Sequence, residues 1–374
     1  MGSAQRSVPL RVRRIGKGLL GRRIAARRQR PQTLRRLAGE YEVGNLLLEA
    51  GRVPVRWWCK ADNFGDLMSP WLIAKMTGRE VAWTDSSPHY LAIGSVLNTS
   101  NPNSLVWGAG AFGVENGQRF CADATYTAVR GPLSRARLVA RDIPCPEVYG
   151  DPALLAPAYF APQVKKSHKY GIVTRWSDRT WHQAKIGDGV RLIDLASDDV
   201  EGVIEAMLTC RRIVTGSLHG LIIADAYGIP SAWVRSRTTY GGPYKFFDYF
   251  ATVGKLRMFQ EFDTSMPVTA NRLHNSLVFD GRPIDFDYRA LLDACPFLQR
   301  VDRASARPQR RDLPAAPERE EETPGSSTCE PSLVSDVGRG SGIASAGDLS
   351  LVRGGGVPRR GGHPTSAARG TDRP

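Results

Sequence analysis

Residues 213–228 read IVTGSLHGLIIADAYG, and this stretch decides the fold. The first three residues are β-prone and predict a strand. The apolar side chains that follow Ser217 predict a helix running to Tyr227, because Ser217 stands at an N-cap position and Gly228 stands where the helix should end. A strand that passes through a glycine-containing turn directly into a helix is typical of a parallel α/β sheet.

The same alternation continues in both directions along the chain. Predicted strands occupy 54–60, 81–84, 90–94, 104–107, 126–129, 170–175, 191–195, 213–215 and 231–234, and predicted helices occupy 67–76, 133–141, 197–210, 217–227 and 245–250. A proline-rich stretch at 144–162 divides the pattern into two halves of similar size. We therefore predict an α/β fold of two facing Rossmann-like domains, residues 41–158 and 159–301, with the ligand in the cleft beyond the carboxyl ends of the strands.

Two terminal segments differ from this core in composition. Every Trp, Tyr and Phe falls between Tyr41 and Phe297. Residues 1–40 hold eleven arginines and Lys17 against a single acid, and so contribute most of the net charge of +14. Residues 302–374 are rich in Arg, Pro, Gly and Ser and are predicted to be disordered. Because the core is nearly neutral, no nucleic-acid partner is expected, although the sequence pI is about 9.8.

The arginine-rich arm, residues 1–40, has two readings that stay open. It fits a basic amphipathic helix at an anionic membrane surface, and it fits a disordered leader equally well. The sequence has no apolar run long enough for a signal peptide or a membrane span, and its six cysteines show no CxxC spacing. We therefore expect a cytoplasmic protein with reduced thiols, in peripheral contact with the inner face of the plasma membrane if the arm is helical.

Two short motifs occur without the context that would give them a function. Residues 108–113 match GxGxxG after a predicted strand, but the residues that follow begin a helix poorly, which favours a glycine-rich turn lining the cleft over a dinucleotide site. Residues 285–287 match DxD, and a surface loop is favoured there. The histidines lack zinc-type partners, so we expect neither a metal nor a redox cofactor.

The segment Thr215–Gly220 is the strongest functional signal. It ends a predicted strand and opens a helix, so that His219 falls in the first helical turn, beside unpaired backbone N–H groups and the positive end of the helix dipole. Glycines at 216 and 220 let a ligand approach the backbone. The segment therefore predicts an anion site with a titratable imidazole, and the alternative is a capped helix with an incidental histidine.

Four other segments carry charged residues beside predicted strands, turns or helix starts. Asp66, in Asn63-Phe64-Gly65-Asp66, is a candidate base or a cap of the helix at 67–76. Arg130 suits bidentate recognition of a carboxylate or phosphate, or else makes a salt bridge at the rim. Asp151 precedes a proline and is a second candidate base or cap. Arg235, Arg237 and Lys245 surround a glycine-rich loop, as further cations for an anionic ligand.

The order of these motifs resembles the polysaccharide pyruvyl transferase family, and its spacing is closest to the exopolysaccharide ketal-pyruvate transferases. The matching residues are Asn63, Gly65, Asp66, Arg130, Gly131, Gly150, Asp151, Pro152, Ser217, Leu218, His219, Gly220, Tyr244, Lys245 and Asp248. The resemblance implies a GT-B-like pair of domains and transfer of the pyruvyl unit of phosphoenolpyruvate to a sugar as a ketal. Leu218 departs from the family, which can place Arg before the histidine, so another cation must meet the donor charge.

The residues and the resemblance together give a set of expected site residues. The predicted catalytic residues are His219, Asp66 and Asp151, the predicted donor-binding residues are Arg130, Ser217, Leu218, Gly220, Arg235 and Lys245, and the predicted acceptor cleft contains Asn63, Gly108 and Gly110. His219 is expected to act as general acid, with Asp66 or Asp151 as general base. The expected partners are phosphoenolpyruvate and a saccharide acceptor, free or lipid-linked.

Two other functions remain open from the sequence. A GT-B-like glycosyltransferase would use the same helix N-terminus to bind the pyrophosphate of a nucleotide sugar, and it would release a nucleoside diphosphate instead of phosphate. A non-catalytic binding module recruited by residues 1–40 would instead lose its function with the arm and keep it without His219.

Overall fold

The computed structural model describes residues 31–114, 120–175, 177–236 and 241–301. The helices are α1 (Pro31–Ala38), α2 (Phe64–Thr77), α3 (Pro132–Val139), α4 (Ala156–Tyr159), α5 (Val200–Leu208), α6 (Leu218–Ala226), α7 (Tyr244–Thr252), α8 (Ala270–Ser276) and α9 (Tyr288–Asp293), with 3-10 turns at Leu97–Thr99, Pro152–Leu155 and Thr180–Gln183. The strands are β1 (Tyr41–Val43), β2 (Val53–Val55), β3 (Val81–Trp83), β4 (His89–Leu91), β5 (Ser104–Trp107), β6 (Thr125–Ala128), β7 (His168–Thr174), β8 (Val190–Asp194), β9 (Cys210–Thr215), β10 (Ser231–Trp233) and β11 (Leu298–Arg300).

The first half of the chain forms a five-stranded parallel sheet in the order β3-β2-β4-β5-β6. The strand predicted at 54–60 is shorter than expected, since only Val53–Val55 pair and the chain then leaves the sheet. Helix α2 begins at Phe64, one turn earlier than predicted, and ends at Gly78 in the left-handed conformation as expected. The early start places Asp66 within the first turn of α2, so it is not the helix cap.

The second half forms a four-stranded parallel sheet in the order β10-β9-β7-β8. Ser217 caps α6 as predicted, and its side chain accepts a hydrogen bond from the Gly220 N–H. Helix α5 begins at Val200 and is capped by Asp199, the last residue of the predicted capping segment 197–199. The parallel sheets confirm the predicted α/β class.

Both sheets change direction of winding near their middle, and these two points position the site. In the first sheet the change lies between β2 and β4, and in the second it lies between β7 and β9. Loops that leave neighbouring strands in opposite directions open a crevice at the carboxyl ends, where ligands of doubly wound proteins bind. The two sheets belong to one compact unit, and the Phe64 N–H at the start of α2 donates to the Leu195 carbonyl just after β8, at 2.9 Å.

The two ends of the described core pack together on the first sheet. Strand β1 pairs antiparallel with β11, and the Trp107 indole donates to the Leu291 carbonyl at 2.9 Å. The Phe297 ring makes an edge contact with Tyr90, with centroids 5.0 Å apart. The chain thus returns at its end to pack beside strands of the first sheet. The predicted domain boundaries, 41–158 and 159–301, stay a prediction. The facing GT-B-like arrangement stays a prediction.

Part of the predicted arginine-rich arm is folded. Residues Pro31–Ala38 form α1, and Leu34 is buried in the main core cluster. The rest of the arm, residues 1–30, and the predicted disordered tail, residues 302–374, lie outside the described residues. Among the described residues, no helix is long and apolar enough to cross a membrane.

Candidate functional site

A cavity of about 360 Å³ lies where the loops of the two winding changes meet. Its walls come from the loops after β2, β4 and β5 in the first sheet, from those after β7 and β9 in the second, and from the start of α2, α6 and α7. The lining residues are Trp58, Asn63, Asp66, Ser95, Val96, Phe112, Arg175, Ser177, Ser217, Leu218, His219 and Lys245. The sequence-predicted donor segment, candidate base and candidate lysine therefore share one cavity.

The N-terminus of α6 forms one wall of the cavity. Ser217 is held in place because its own N–H donates to the Thr215 hydroxyl at 3.0 Å, and its hydroxyl then caps the helix. A Cβ on Gly220 would lie 2.6 Å from that same hydroxyl, so this glycine lets the helix pack closely on the end of β9. The helix N-terminus thereby presents the positive end of its dipole to the cavity.

His219 lies against a buried carboxylate. Its Nε2 atom is 3.7 Å from Asp151 Oδ2, and neither atom has a hydrogen-bond partner among the described residues. The Asp151 side chain is completely buried, whereas that of His219 is 12% exposed. The other carboxylate oxygen of Asp151 accepts the Ala153 N–H at 3.0 Å, as the sequence-predicted cap requires. Asp151 can therefore reach the chemistry only through the imidazole.

Gly65, in the first turn of α2, makes room for the imidazole. A Cβ at this position would lie 2.1 Å from His219 Nδ1, far inside van der Waals contact. The Asn-x-Gly-Asp segment and the Ser-Leu-His-Gly segment are thus in direct contact across the cavity wall. The close approach explains why glycine, and no larger residue, precedes Asp66.

Asp66 is the carboxylate that faces the cavity. Asn63 donates to its Oδ2 atom at 2.5 Å, which orients the carboxylate. Burial raises the pKa of Asp66, while the nearby His219, the Asn63 hydrogen bond and Lys245 oppose that rise. A carboxylate with a raised pKa is a stronger base than an exposed one, which suits proton abstraction.

Lys245, near the start of α7, brings an ammonium group into the cavity while remaining only 9% exposed. Its Nζ atom lies 4.9 Å from the centroid of the Phe112 ring. Burial, followed by the positive charges of Arg175 and Arg130, lowers the pKa of Lys245 to about 7, and Asp66 acts in the other direction. A desolvated ammonium group beside further cations is suited to an anionic ligand.

Arg130, predicted to bind the donor, is completely buried and does not line the cavity. Its guanidinium donates to Asp248 at 3.0 Å, to the Ser95 hydroxyl at 2.8 Å and to the Ala111 carbonyl at 2.6 Å. A Cβ on Gly110 would lie 2.2 Å from the Arg130 Cζ atom, so Gly110 accommodates this side chain. Arg130 therefore lies behind the cavity wall instead of at the rim.

Two other predicted positions also lie away from the cavity lining. The Arg235 side chain is 55% exposed, pairs with Glu261 and lies over the Phe259 ring. Gly108 has φ +93, and a Cβ there would lie 2.3 Å from Pro152, so this glycine serves a close approach of two loops.

The DxD segment ends in Asp287, which caps α9 by accepting two backbone N–H groups.

Six lining residues were not among the sequence-predicted site residues. They are Trp58, Ser95, Val96, Phe112, Arg175 and Ser177. Arg175 follows β7 directly, at the winding change, and this position was a usable signal. Phe112 belongs to the glycine-rich turn at 108–113, which the sequence analysis expected to line the cleft. The other four lie in loops whose course depends on both sheets, so local sequence does not indicate them.

The arrangement can bind an anion and move protons beside it. Lys245, Arg175 and the α6 N-terminus can bind a negative charge, and His219, Asp66 and Lys245 are lining residues able to exchange protons. Among residues 31–114, 120–175, 177–236 and 241–301, no group of three or more His, Cys, Asp or Glu side chains could hold a metal ion.

Comparison with known proteins gives a family match and similar proteins. The family described as polysaccharide pyruvyl transferase matches residues 77–237. Uncharacterized protein L143 of Acanthamoeba polyphaga mimivirus is 28% identical over 215 residues, which are 54% of this chain and 74% of that protein. Succinoglycan biosynthesis protein ExoV of Rhizobium meliloti (strain 1021) is 26% identical over 215 residues, which are 54% of this chain and 65% of that protein.

The family match contains Arg130, Asp151 and His219, whereas Asp66 and Lys245 lie on either side of it. Asp66, His219 and Lys245 all line the cavity, so the cavity is formed by residues inside the matched segment and by residues on either side of it. Over residues 77–237 the chain is similar in sequence to the polysaccharide pyruvyl transferases, which confirms the resemblance drawn from its motifs.

Proposed function

We propose that the protein transfers the pyruvyl group of phosphoenolpyruvate to a saccharide, forming a ketal and releasing phosphate. Similarity to the polysaccharide pyruvyl transferase family and to a succinoglycan biosynthesis protein supports a transferase with a pyruvyl-transfer role in polysaccharide synthesis. The observation that carries the proposal is that one cavity holds Lys245, the α6 N-terminus, and His219 backed by a buried carboxylate.

The donor is proposed to bind at the cationic side of the cavity. Phosphoenolpyruvate carries a carboxylate and a phosphate, and both need cations or oriented N–H groups in place of water. Lys245, Arg175 and the first turn of α6 provide these at the cavity surface. Since Leu218 occupies the position where the family can have Arg, Arg175 is the additional cation proposed to meet the donor charge.

His219 is proposed to protonate C3 of the donor. The imidazole lines the cavity, with its Nε2 atom beside Asp151 and its Nδ1 atom next to Gly65. Protonation of C3 makes C2 electrophilic, so that a sugar hydroxyl can add to it. Asp151 is proposed as a positioning residue that holds the imidazole and stabilises its charged form.

Asp66 is proposed to accept the proton of the attacking hydroxyl. It lines the cavity, whereas Asp151 does not, and the raised pKa of Asp66 increases its strength as a base. Addition of the first hydroxyl forms one C–O bond at C2. The second hydroxyl forms the other C–O bond as the C–O bond to phosphate breaks. Its proton restores His219, and the proton on Asp66 leaves with the phosphate, so the products are a cyclic ketal and phosphate.

The saccharide acceptor is proposed to bind to the part of the cavity wall formed by Trp58, Asn63 and Ser95. These residues lie in loops that follow strands of the first sheet, and they combine an aromatic face with hydrogen-bonding groups. An indole can pack against the apolar face of a sugar ring, while amide and hydroxyl groups bind its hydroxyls. A lipid-linked acceptor, a cytoplasmic location and contact of residues 1–40 with an anionic membrane belong to the same proposal.

The test is to incubate the full chain with phosphoenolpyruvate and a series of lipid-linked or aryl glycosides. Phosphate release and the mass of the glycoside product are measured together. The proposal expects phosphate release that depends on the acceptor, with a product heavier by one pyruvyl ketal. Release of a nucleoside diphosphate from a nucleotide sugar, without turnover of phosphoenolpyruvate, would support the glycosyltransferase instead.

A further inference from the structure

A buried network joins Arg130 to helix α7 behind the cavity. Asp248 Oδ2 accepts from Arg130 Nε at 3.0 Å and from the Ser134 hydroxyl at 2.6 Å, and its Oδ1 accepts from the Ser134 N–H at 2.9 Å. The side chains of Arg130 and Asp248 are completely buried. A Cβ on Gly131 would lie 2.2 Å from the Asp248 carbonyl, so the helix approaches the start of α3 very closely.

Lys245 and Asp248 lie three residues apart on α7, a spacing that brings an ammonium group and a carboxylate side by side on a helix. Here both carboxylate oxygens of Asp248 accept hydrogen bonds, from Arg130 and Ser134. Lys245 has no carboxylate within ion-pair distance in the part of the chain that the structure describes. Its charged surroundings are Asp66 on α2, Arg130 before α3 and Arg175 after β7.

We propose that Arg130 is a positioning residue that takes up the Asp248 carboxylate and so leaves the Lys245 ammonium group unneutralised for an anionic donor. The inference rests on the proposed function, since it assigns a role within the same site. The network gives Arg130 a second effect, because its Nη1 atom also holds the hydroxyl of Ser95 on the cavity wall. Arg130 thus serves donor binding without touching the donor.

The test compares phosphoenolpyruvate affinity, measured by calorimetry, in the parent, Arg130→Gln, and Arg130→Gln with Asp248→Asn. The single variant removes the cation that neutralises Asp248, while Ser134 still holds both of its oxygens, so a buried negative charge is left close to Lys245 and we expect donor affinity to fall about tenfold. The double variant removes that carboxylate as well, and we expect most of the affinity to return. Thermal unfolding is measured for all three proteins, because removal of both partners of a buried pair also restores stability, and the inference requires the affinity to fall at a temperature where the single variant is fully folded.

Lys255→Gln is the matched control, because Lys255 also makes a buried ion pair, with Asp225 at 2.6 Å, outside the cavity. It should lower stability and leave donor affinity as in the parent. If Arg130→Gln does not fold, Asp248→Asn alone decides: with Arg130 left unpaired, Lys245 should lose its proton more readily, and the pH above which donor affinity falls should move down.

Two results would overturn the inference while leaving the proposed function intact. One is a double variant that binds phosphoenolpyruvate as weakly as the single variant. The other is an Asp248→Asn variant with an unchanged pH dependence of binding. Failure of the parent protein itself to bind phosphoenolpyruvate would instead reject the proposed function.

Discussion

Asp151 Oδ2 faces His219 Nε2 across 3.7 Å, and neither atom has another hydrogen-bond partner among the described residues. A completely buried carboxylate without a partner on one oxygen is costly unless a positive charge can form beside it. The proton that His219 would carry before protonating the donor supplies that charge. The close approach of these two atoms is what the proposed positioning role of Asp151 requires.

Asp151→Asn is predicted to lower kcat by about 10²-fold, because the neutral amide cannot stabilise the imidazolium or select its tautomer. The variant should fold normally, since the Asn oxygen can still accept the Ala153 N–H. Steady-state kinetics and thermal unfolding provide the two measurements. Asp199→Asn, which changes another helix cap that lies outside the cavity, is the control and should retain the parent kcat. Equal losses in the two variants would contradict the role of Asp151.

His219→Gln is predicted to lower kcat by roughly 10²–10⁴-fold, the usual contribution of a proton-transfer group. Donor affinity, measured by calorimetry, should change much less, because Lys245, Arg175 and the helix N-terminus remain. His274→Gln, in α8, is the control and should retain parent activity. A near-normal kcat for His219→Gln with unchanged donor affinity would exclude His219 as the general acid.

Gly65→Ala tests the contact between the two motifs. The added Cβ would lie 2.1 Å from His219 Nδ1, so the imidazole must move away from Asp151 or from the cavity. We expect a loss of kcat on the order of 10²-fold, because displacement by about 1 Å is enough for this effect. Overpacking costs about 1–3 kcal/mol of stability, partly offset by the better helix propensity of alanine.

Gly39→Ala is the comparison for this substitution, since its added Cβ would meet only backbone carbonyls at 3.4 Å. It should leave both kcat and the unfolding temperature near the parent values. A Gly65→Ala variant with parent kcat would show that the position of the imidazole does not control the reaction.

Lys245→Met is predicted to stabilise the protein while abolishing donor binding. Since burial lowers the pKa of Lys245 to about 7, the unfolded chain binds a proton between pH 7 and about 10.5 that the folded chain does not. This group therefore makes the parent less stable as the pH falls toward 7. We expect the Tm of the variant to exceed that of the parent at pH 7, and the difference to shrink toward pH 10.

The comparison for this variant is Lys255→Met, which removes a paired buried lysine. Asp225 then keeps only Arg257, at 3.7 Å, and the Tyr249 hydroxyl, so stability should fall by at most about 3–5 kcal/mol. The two substitutions should thus move Tm in opposite directions. A lower Tm for Lys245→Met at pH 7 would mean that a stabilising partner of Lys245 exists in the folded protein.

Donor affinity is predicted to decrease as the pH rises above about 7, the pKa to which burial lowers Lys245. The negative charge of the donor favours the protonated amine, so binding should take up protons in this range. Calorimetry in two buffers of different ionisation enthalpy measures the uptake. Binding at pH 8 without proton uptake would contradict the role of Lys245.

The sequence was sufficient to predict the α/β class, the approximate positions of the parallel strands and the Ser217 cap, because these depend on local periodicity and turn residues. It did not indicate β1 and β11. It also indicated that His219, Asp66 and Lys245 share one cavity, since all three follow predicted strands or begin helices. Residues at the carboxyl ends of parallel strands meet in space by a rule of topology, so this expectation needed no tertiary contacts.

The residues that the sequence could not assign depend on contacts far apart in the chain. Arg130 was expected at the donor because it follows β6, but its partner Asp248 comes from a helix more than a hundred residues later. Gly108 and Gly110 were expected in the cleft, and their freedom from a Cβ instead accommodates Pro152 and Arg130. A glycine in the sequence indicates that another group packs closely against the backbone at that position. It does not identify that group.

The most direct test of the proposed pyruvyl transfer uses phosphoenolpyruvate labelled with ¹³C at C2, an acceptor glycoside and NMR of the purified saccharide product. The account predicts that the label leaves the alkene and appears in the saccharide as a carbon bonded to two sugar oxygens, together with an equal amount of free phosphate. Label that remains in phosphoenolpyruvate, or that appears only as free pyruvate with the saccharide unchanged, would contradict it.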